Sequence, residues 1–294
     1  MKLSDIHIRD PYIFAEDGVY YMYGTRIGVN GVPKPCTGLD VYTSSDLEQW
    51  SEPFECFTRP DDFWANWDFF APEVHKFNGK YYMFASFRSA TRRRASHILV
   101  ADSPKGPFVP LTKEAFTPED WNCLDATFYV DENGKPWSVY CHEWTQVKDG
   151  TMEAVQLSDD LKEVITEPVT LFKAGEVDWK FTLQGGEDNS TDGNYVTDGP
   201  FLYKHSSGKL LMLWSSFSDH CFYVQAVAVS ESGNILGPWH HDHKLLYTND
   251  GGHGMIFKKF NGELCLVLHH TNVRPNERAT LVPIRETESG LEPI

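Results

Sequence analysis

A short phrase recurs five times along the chain. It consists of an opening residue, an apolar or aromatic strand, a turn holding glycine, and a second apolar strand. It first reads R-D-P-Y-I-F-A-E-D-G-V-Y-Y-M-Y-G-T from Arg9 to Thr25. It returns as A-P-E-V-H-K-F-N-G-K-Y-Y-M-F-A-S-F (Ala71 to Phe87) and D-A-T-F-Y-V-D-E-N-G-K-P-W-S-V-Y (Asp125 to Tyr140). The fourth and fifth copies are D-G-P-F-L-Y-K-H-S-S-G-K-L-L-M-L-W-S-S (Asp198 to Ser216) and H-G-M-I-F-K-K-F-N-G-E-L-C-L-V-L-H-H (His253 to His270). Glycine between two β-prone runs is hairpin chemistry, because it takes the positive φ that tight turns demand. Here it falls at Gly18, Gly79, Gly134, Gly208 and Gly262.

Aligned on Asp10, Ala71, Asp125, Asp198 and His253, the copies step by 61, 54, 73 and 55 residues. A second echo follows each of the first four hairpins, as in G-L-D-V-Y-T-S-S-D-L-E-Q-W (Gly38 to Trp50) and Y-V-Q-A-V-A-V-S-E-S-G-N-I-L-G-P-W (Tyr223 to Trp239). Repetition of short strands with fixed grammar is the signature of a radial β array. The expectation is an all-β chain, a five-bladed β-propeller, with residues 1–294 forming one domain. The last copy is short of outer strands, so Lys2 to Ile8 is expected to complete it. Two insertions, Cys56 to Phe70 and Leu171 to Thr197, precede opening residues and are expected to rim the channel mouth.

Composition narrows the partners. A formal charge of −16 argues against nucleic acid and anionic membrane surfaces. The run Arg92-Arg93-Arg94 reads as a solvated loop. No apolar h-region opens the chain and no window approaches 18 apolar residues, so a cytoplasmic location is expected, or a secreted or periplasmic one if a leader has been removed. The six cysteines form no C-x-x-C pair and several lie in apolar strands, as buried thiols do. Aromatics make up 14%. Those beyond core needs, such as Trp64, Trp67, Phe69, Phe70 and Trp144, suit the stacking of sugar rings.

In a propeller the innermost strands line the channel, so their opening residues converge. Asp10, Asp125 and Asp198 would then share a pocket with His253. Glycoside hydrolysis requires such carboxylates: one ionised to activate water, one protonated to serve the leaving oxygen, and a third able to raise the acid's pKa. A silent sugar-binding propeller would use the same pocket without the chemistry.

These residues resemble glycoside hydrolase family 43, five-bladed propellers that act by inversion on arabinosides and xylosides. The resemblance runs over essentially the whole chain. It rests on R-D-P-Y-I (Arg9 to Ile13), A-P-E-V (Ala71 to Val74), L-D-A-T-F (Leu124 to Phe128), T-D-G-P-F-L-Y (Thr197 to Tyr203) and G-G-H-G (Gly251 to Gly254). It implies an exo-acting α-L-arabinofuranosidase or β-xylosidase on oligosaccharides or glycosides, with Asp10 as base, Asp125 as pKa modulator and Asp198 as acid. It also implies that His253 lies beside calcium or another cation held mostly by water. Phe70, Trp144, His253 and Arg278 are the expected sugar contacts.

One departure is plain. The family's acid is usually a glutamate, and Asp198 is one methylene shorter. Glu187 and Glu143 are the alternative acids. The cluster His240-His241-Asp242-His243 reads as a solvated turn rather than a metal site.

Overall fold

A computed structural model describes residues 1–27, 36–288 and 290–294. They form five antiparallel sheets of four strands, each sheet in simple up-and-down order. Blade one holds Ile8–Glu16, Val19–Arg26, Gly38–Ser44 and Phe54–Thr58. The inner strands of the other blades are Trp67–Phe77, Cys123–Val130, Asp198–Lys204 and Gly251–Lys258. All five turn glycines have positive φ, between 75° and 92° (79°, 79°, 75°, 91° and 92° in chain order).

The second strand of each blade, and the third strand of blades two to four, are buried along most of their length between neighbouring blades, so they do not alternate in burial as a strand with one solvated face does. Leu210–Phe217 and Tyr223–Ser230 are buried along almost their whole length. The core is accordingly a set of interblade layers. One packs Met22, Val41 and Phe57 with Val74, Met83 and Phe87; another packs Met152, Trp214 and Ala226.

Three expectations are corrected here. The fifth blade's outer strand is Gly290–Pro293, paired to Arg278–Thr287, so Lys2 to Ile8 does not complete it. That segment instead bridges blades one and five: Lys2 pairs with Gln49 beside the main-chain exchange of Met1 with Trp50, while Arg278 donates to the Ser4 carbonyl and Ile8 N to the Glu277 carbonyl. The first insertion shrinks, because Phe54–Thr58 and Trp67–Phe77 are strands. His240 and His241 also lie in a strand, Trp239–His241, with His241 packed edge-on to Phe172 at 4.7 Å. Among the described residues no helix is long and apolar enough to cross a membrane.

Candidate active site

Each inner strand carries a bulge near its start, and the bulge builds the site. Register slips between Arg9 and Tyr12, Phe70 and Glu73, Val139 and Cys141 opposite Asp125, Asp198 and Phe201, and Gly252 and Met255. The bulge residues sit in the left-handed region: Asp10 (φ 54°), Ala71 (46°), Asp125 (56°), Gly199 (49°) and His253 (53°). That conformation costs about 1–2 kcal/mol per non-glycine residue, and such strain gathers at functional sites. It re-aims the bulge side chain, so Arg9 with Asp10, and Leu124 with Asp125, face one pocket although they are adjacent in sequence.

Asp198 therefore does not occupy the position matched to Asp10 and Asp125. It pairs with Ser215 as Arg9 pairs with Thr25, one residue before the bulge, and Gly199 takes the bulge. D-G-P looks like the D-P of blade one in setting an aspartate close before a proline, but its aspartate stands one residue earlier and glycine carries the backbone turn.

A bulge frees a main-chain N–H, which must find a partner. The neighbouring blade supplies it from the residue paired opposite each pre-bulge position. Thr25 Oγ1 accepts from Ala71 N (2.8 Å), Ser86 Oγ from Asp125 N (2.7 Å) and Ser215 Oγ from His253 N (2.8 Å). His269 Nδ1 accepts from Asp10 N at 3.3 Å, closing the ring from blade five to blade one. In blade three the position is Cys141. These residues were missed from sequence, though the recurring Thr25, Ser86 and Ser215 near the ends of second strands were a visible signal.

The pocket, about 230 Å³, is lined by the pre-bulge residues Arg9, Phe70, Leu124 and Asp198 and the bulge residues Asp10, Asp125 and His253, together with Arg94, Glu143 and Arg274. Those three come from the loops joining second and third strands, on the same face. His253 Nδ1 stands 3.3 Å from Asp10 Oδ1, 3.3 Å from Asp198 Oδ1 and 3.9 Å from Asp125 Oδ2. The nearest oxygens of Asp10 and Asp198 are thus at most twice 3.3 Å apart. Thr25 donates to Asp10 Oδ2 at 2.6 Å, and Tyr223 donates to Asp198 Oδ2 at 2.7 Å.

The charges follow from these neighbours. Burial opposes protonation of His253, yet Asp10, Asp125 and Asp198 outweigh it and push its pKa up to about 10. Burial would also raise Asp10, but His253 and Arg9 hold its carboxyl below the usual carboxylate range. Burial and then the charge of Asp198 raise Asp125 well above that range. Asp198 is kept low against its burial by hydrogen bonds from Asp125, His253 and Tyr223. Asp125 and Asp198 thus titrate as an interacting pair with the proton on the Asp125 side, while Asp10 is ionised. Burial and the neighbouring Arg9 lower His269 to about 3, so it is neutral and free to accept.

Among the other expected contacts, Phe70 lines the pocket beneath the Arg94 guanidinium, 5.3 Å from its ring centroid. Trp144 begins the short helix Trp144–Val147 and packs 3.8 Å from the point where a Cβ of Gly185 would stand, outside the pocket lining. Arg278 is spent on the Ser4 carbonyl and His7, and Arg274, four residues earlier, faces the pocket instead. Glu187 is exposed and paired with Arg93. Glu143 does line the pocket, held by Arg94 at 3.0 Å to each oxygen.

The Arg92-Arg93-Arg94 run is not wholly a solvated loop, because Arg94, with 14% of its side chain exposed, is part of the wall, shared between Glu143 and Asp68. The pocket therefore has three arginines where the repeat openings showed one. Each faces a carboxylate: Arg9 faces Asp10 and Glu277, Arg94 faces Glu143, and Arg274 faces Glu277.

Among the described residues, Asp125, Asp198 and His253 are the one group whose ligand atoms lie within 4.8 Å of one another. Calcium takes six to eight oxygens, so these three donors do not by themselves make a calcium cage. The three histidines of the 240–243 segment turn to different carboxylates, Glu231, Glu176 and Asp178.

The sequence profile of the family described as Glycosyl hydrolases family 43 matches residues 4–290. An extracellular endo-alpha-(1->5)-L-arabinanase 1 of Bacillus subtilis (strain 168) is 26% identical over 152 residues, 48% of this chain and 45% of that one. The chain thus matches about half the length of that relative. A xylosidase/arabinosidase of Bacteroides ovatus is 21% identical over 243 residues, 73% of this chain and 74% of that one. In solved structures, an endo-arabinase from Bacteroides thetaiotaomicron superposes with a TM-score of 0.88, at 38% identity and 98% coverage of both chains.

Proposed function

Because the chain belongs to glycosyl hydrolase family 43, and is thereby a glycoside hydrolase, we propose that it cleaves α-L-arabinosidic bonds at chain ends with inversion. The observation that carries this reading is the placement of His253 between Asp10 and the Asp125–Asp198 pair. It sets an ionised carboxylate against a proton-bearing pair across one pocket.

In the reaction, Asp10 takes a proton from water as its oxygen bonds to the anomeric carbon. The glycosidic C–O bond breaks on the opposite face, and the proton of the aspartate pair passes to the leaving oxygen. His253, cationic, anchors both partners. The ceiling on the Asp10–Asp198 separation touches the short end of the range for inversion, about 6.5–9.5 Å, and also covers the roughly 5–5.5 Å of retaining enzymes. Inversion therefore rests on the family resemblance and not on this distance.

Arabinose is favoured over xylose by the likeness to arabinan-cleaving proteins. End-on action is favoured by the pocket's size, which is below the roughly 300–1,000 Å³ of sites for drug-sized ligands. Internal cleavage is the second reading, because two of the proteins it resembles are named as endo-acting. Digestion of linear arabinan separates them: arabinose as the sole early product supports the first, and a ladder of oligosaccharides supports the second. Proton NMR of the first-formed sugar reads the stereochemistry, and retention would overturn the mechanism.

A further inference from the structure

Tyr223 belongs to no repeat opening. It starts the third strand of blade four, yet it is fully buried with its hydroxyl on Asp198 Oδ2. The reach depends on Gly252. A Cβ there would stand 2.6 Å from Tyr223 Cε1 and 2.6 Å from Ser215 Oγ, so any side chain at 252 would drive the phenol ring away from Asp198.

The same residue also touches the supports of Asp10. Its ring stacks on His269, with centroids 5.3 Å apart and planes within 17°, and His269 accepts the Asp10 main-chain N–H. The Tyr223 N–H donates to Asp250 Oδ1 at 3.3 Å, and Asn272 N donates to Asp250 Oδ2 at 3.1 Å. Arg9 Nη1 then donates to Asn272 Oδ1 at 2.6 Å, with Arg9 Nε 3.4 Å from Asp10 Oδ1. Two routes therefore join Tyr223 to the base, and one bond joins it to the acid.

We propose that Tyr223 is a positioning residue, a strut that sets the distance between Asp198 and Asp10. The inference rests on the glycosidase reading above and adds what makes a short acid usable. With one methylene fewer than glutamate, Asp198 cannot make up a misplacement by extending. A displacement near 1 Å can cost about a hundredfold in rate. Fixing one carboxylate oxygen from a rigid, stacked ring removes that freedom, as supports around catalytic groups do.

The test compares wild type, Tyr223→Phe and Gly252→Ala. Tyr223→Phe keeps the ring and its stack but loses the hydroxyl; Gly252→Ala keeps the hydroxyl but displaces the ring. We expect both to lower kcat about ten- to a hundredfold with KM within about twofold. The loss should be larger on an arabino-oligosaccharide than on nitrophenyl arabinofuranoside, whose leaving group needs less proton help. In a crystal structure of Tyr223→Phe, which keeps the stack on His269, the Asp198 carboxylate should swing while Asp10 stays; in Gly252→Ala the Asp198 carboxylate should swing as well.

A Tyr223→Phe enzyme with wild-type kcat overturns the strut. So does a loss equal on both substrates and accompanied by a lowered Tm, which would mark a merely structural role. If wild type cleaves neither substrate, the arabinosidase reading fails instead. The crystal structures then decide alone: a moved Asp198 supports the strut and an unmoved one refutes it.

Discussion

Gly199 lies directly beneath the imidazole of His253: a Cβ on Gly199 would stand 2.7 Å from both Cγ and Cδ2 of that ring. Blade four is the one blade whose bulge residue has no side chain, and His253 fills the vacated space. There it comes between Asp10 and Asp198.

Gly199→Ala should therefore push His253 out of line, besides placing alanine at a φ of 49°. The strain costs about 1–2 kcal/mol in stability. Activity of the folded enzyme should fall as well, by tenfold or more, because the two carboxylates lose their shared anchor. Thermal melts beside kcat/KM on an aryl arabinofuranoside measure the two effects. A loss of stability without a matching loss of activity would show that His253 need not sit where it does.

The charge of His253 has a pH signature. Its folded pKa, about 10, exceeds its ordinary 6.5, so the folded state holds a proton that the unfolded state releases. That stabilisation is complete below about pH 6.5 and is lost as pH rises toward 10. Asp10 acts in the opposite direction: held below its ordinary 3.8, it contributes above that pH and fails as acid protonates it. Urea unfolding across pH should show stability declining on the alkaline side. NMR titration should find the His253 ring protonated throughout pH 5 to 8, against a neutral His269, and a normal titration for His253 would refute the assigned charge.

Glu143 and Glu187 separate cleanly. Glu143→Gln should weaken the Arg94 contact in the pocket wall and raise KM several-fold, with kcat changed little. If kcat instead collapses on the oligosaccharide and recovers on the nitrophenyl glycoside, Glu143 is the proton donor and Asp198 is not. Glu187→Gln removes an exposed pair with Arg93 and should cost less than about 1 kcal/mol, leaving the kinetics untouched.

The inner strands were legible because each announces itself with an opening residue and a glycine turn, and those cues are local. What was not legible depends on closure of the ring. Asp198 was placed one residue off because an acidic residue before Gly-Pro looks like the acidic residue before proline in blade one, and only the pairing with Ser215 reveals the shift. Arg94 and Glu143 enter the pocket from loops of blades two and three, whose approach to the channel is set by how the blades pack. Arg278 and Arg274 lie one turn of chain apart, and no periodicity tells which faces inward. Tyr223 was hidden more deeply still, since its reach requires the absence of a side chain at Gly252 on the next blade.

The most direct test is hydrolysis of an arabino-oligosaccharide and nitrophenyl arabinofuranoside by wild type, Asp10→Asn and Asp198→Asn. Wild type should cleave both. Asp10→Asn should be inactive on both, having lost the base that activates water. Asp198→Asn should fail on the oligosaccharide and retain part of its rate on the nitrophenyl glycoside. An Asp10→Asn enzyme that turns over either substrate at the wild-type rate would contradict the account, because the ionised carboxylate opposite the aspartate pair would then have no part in the reaction.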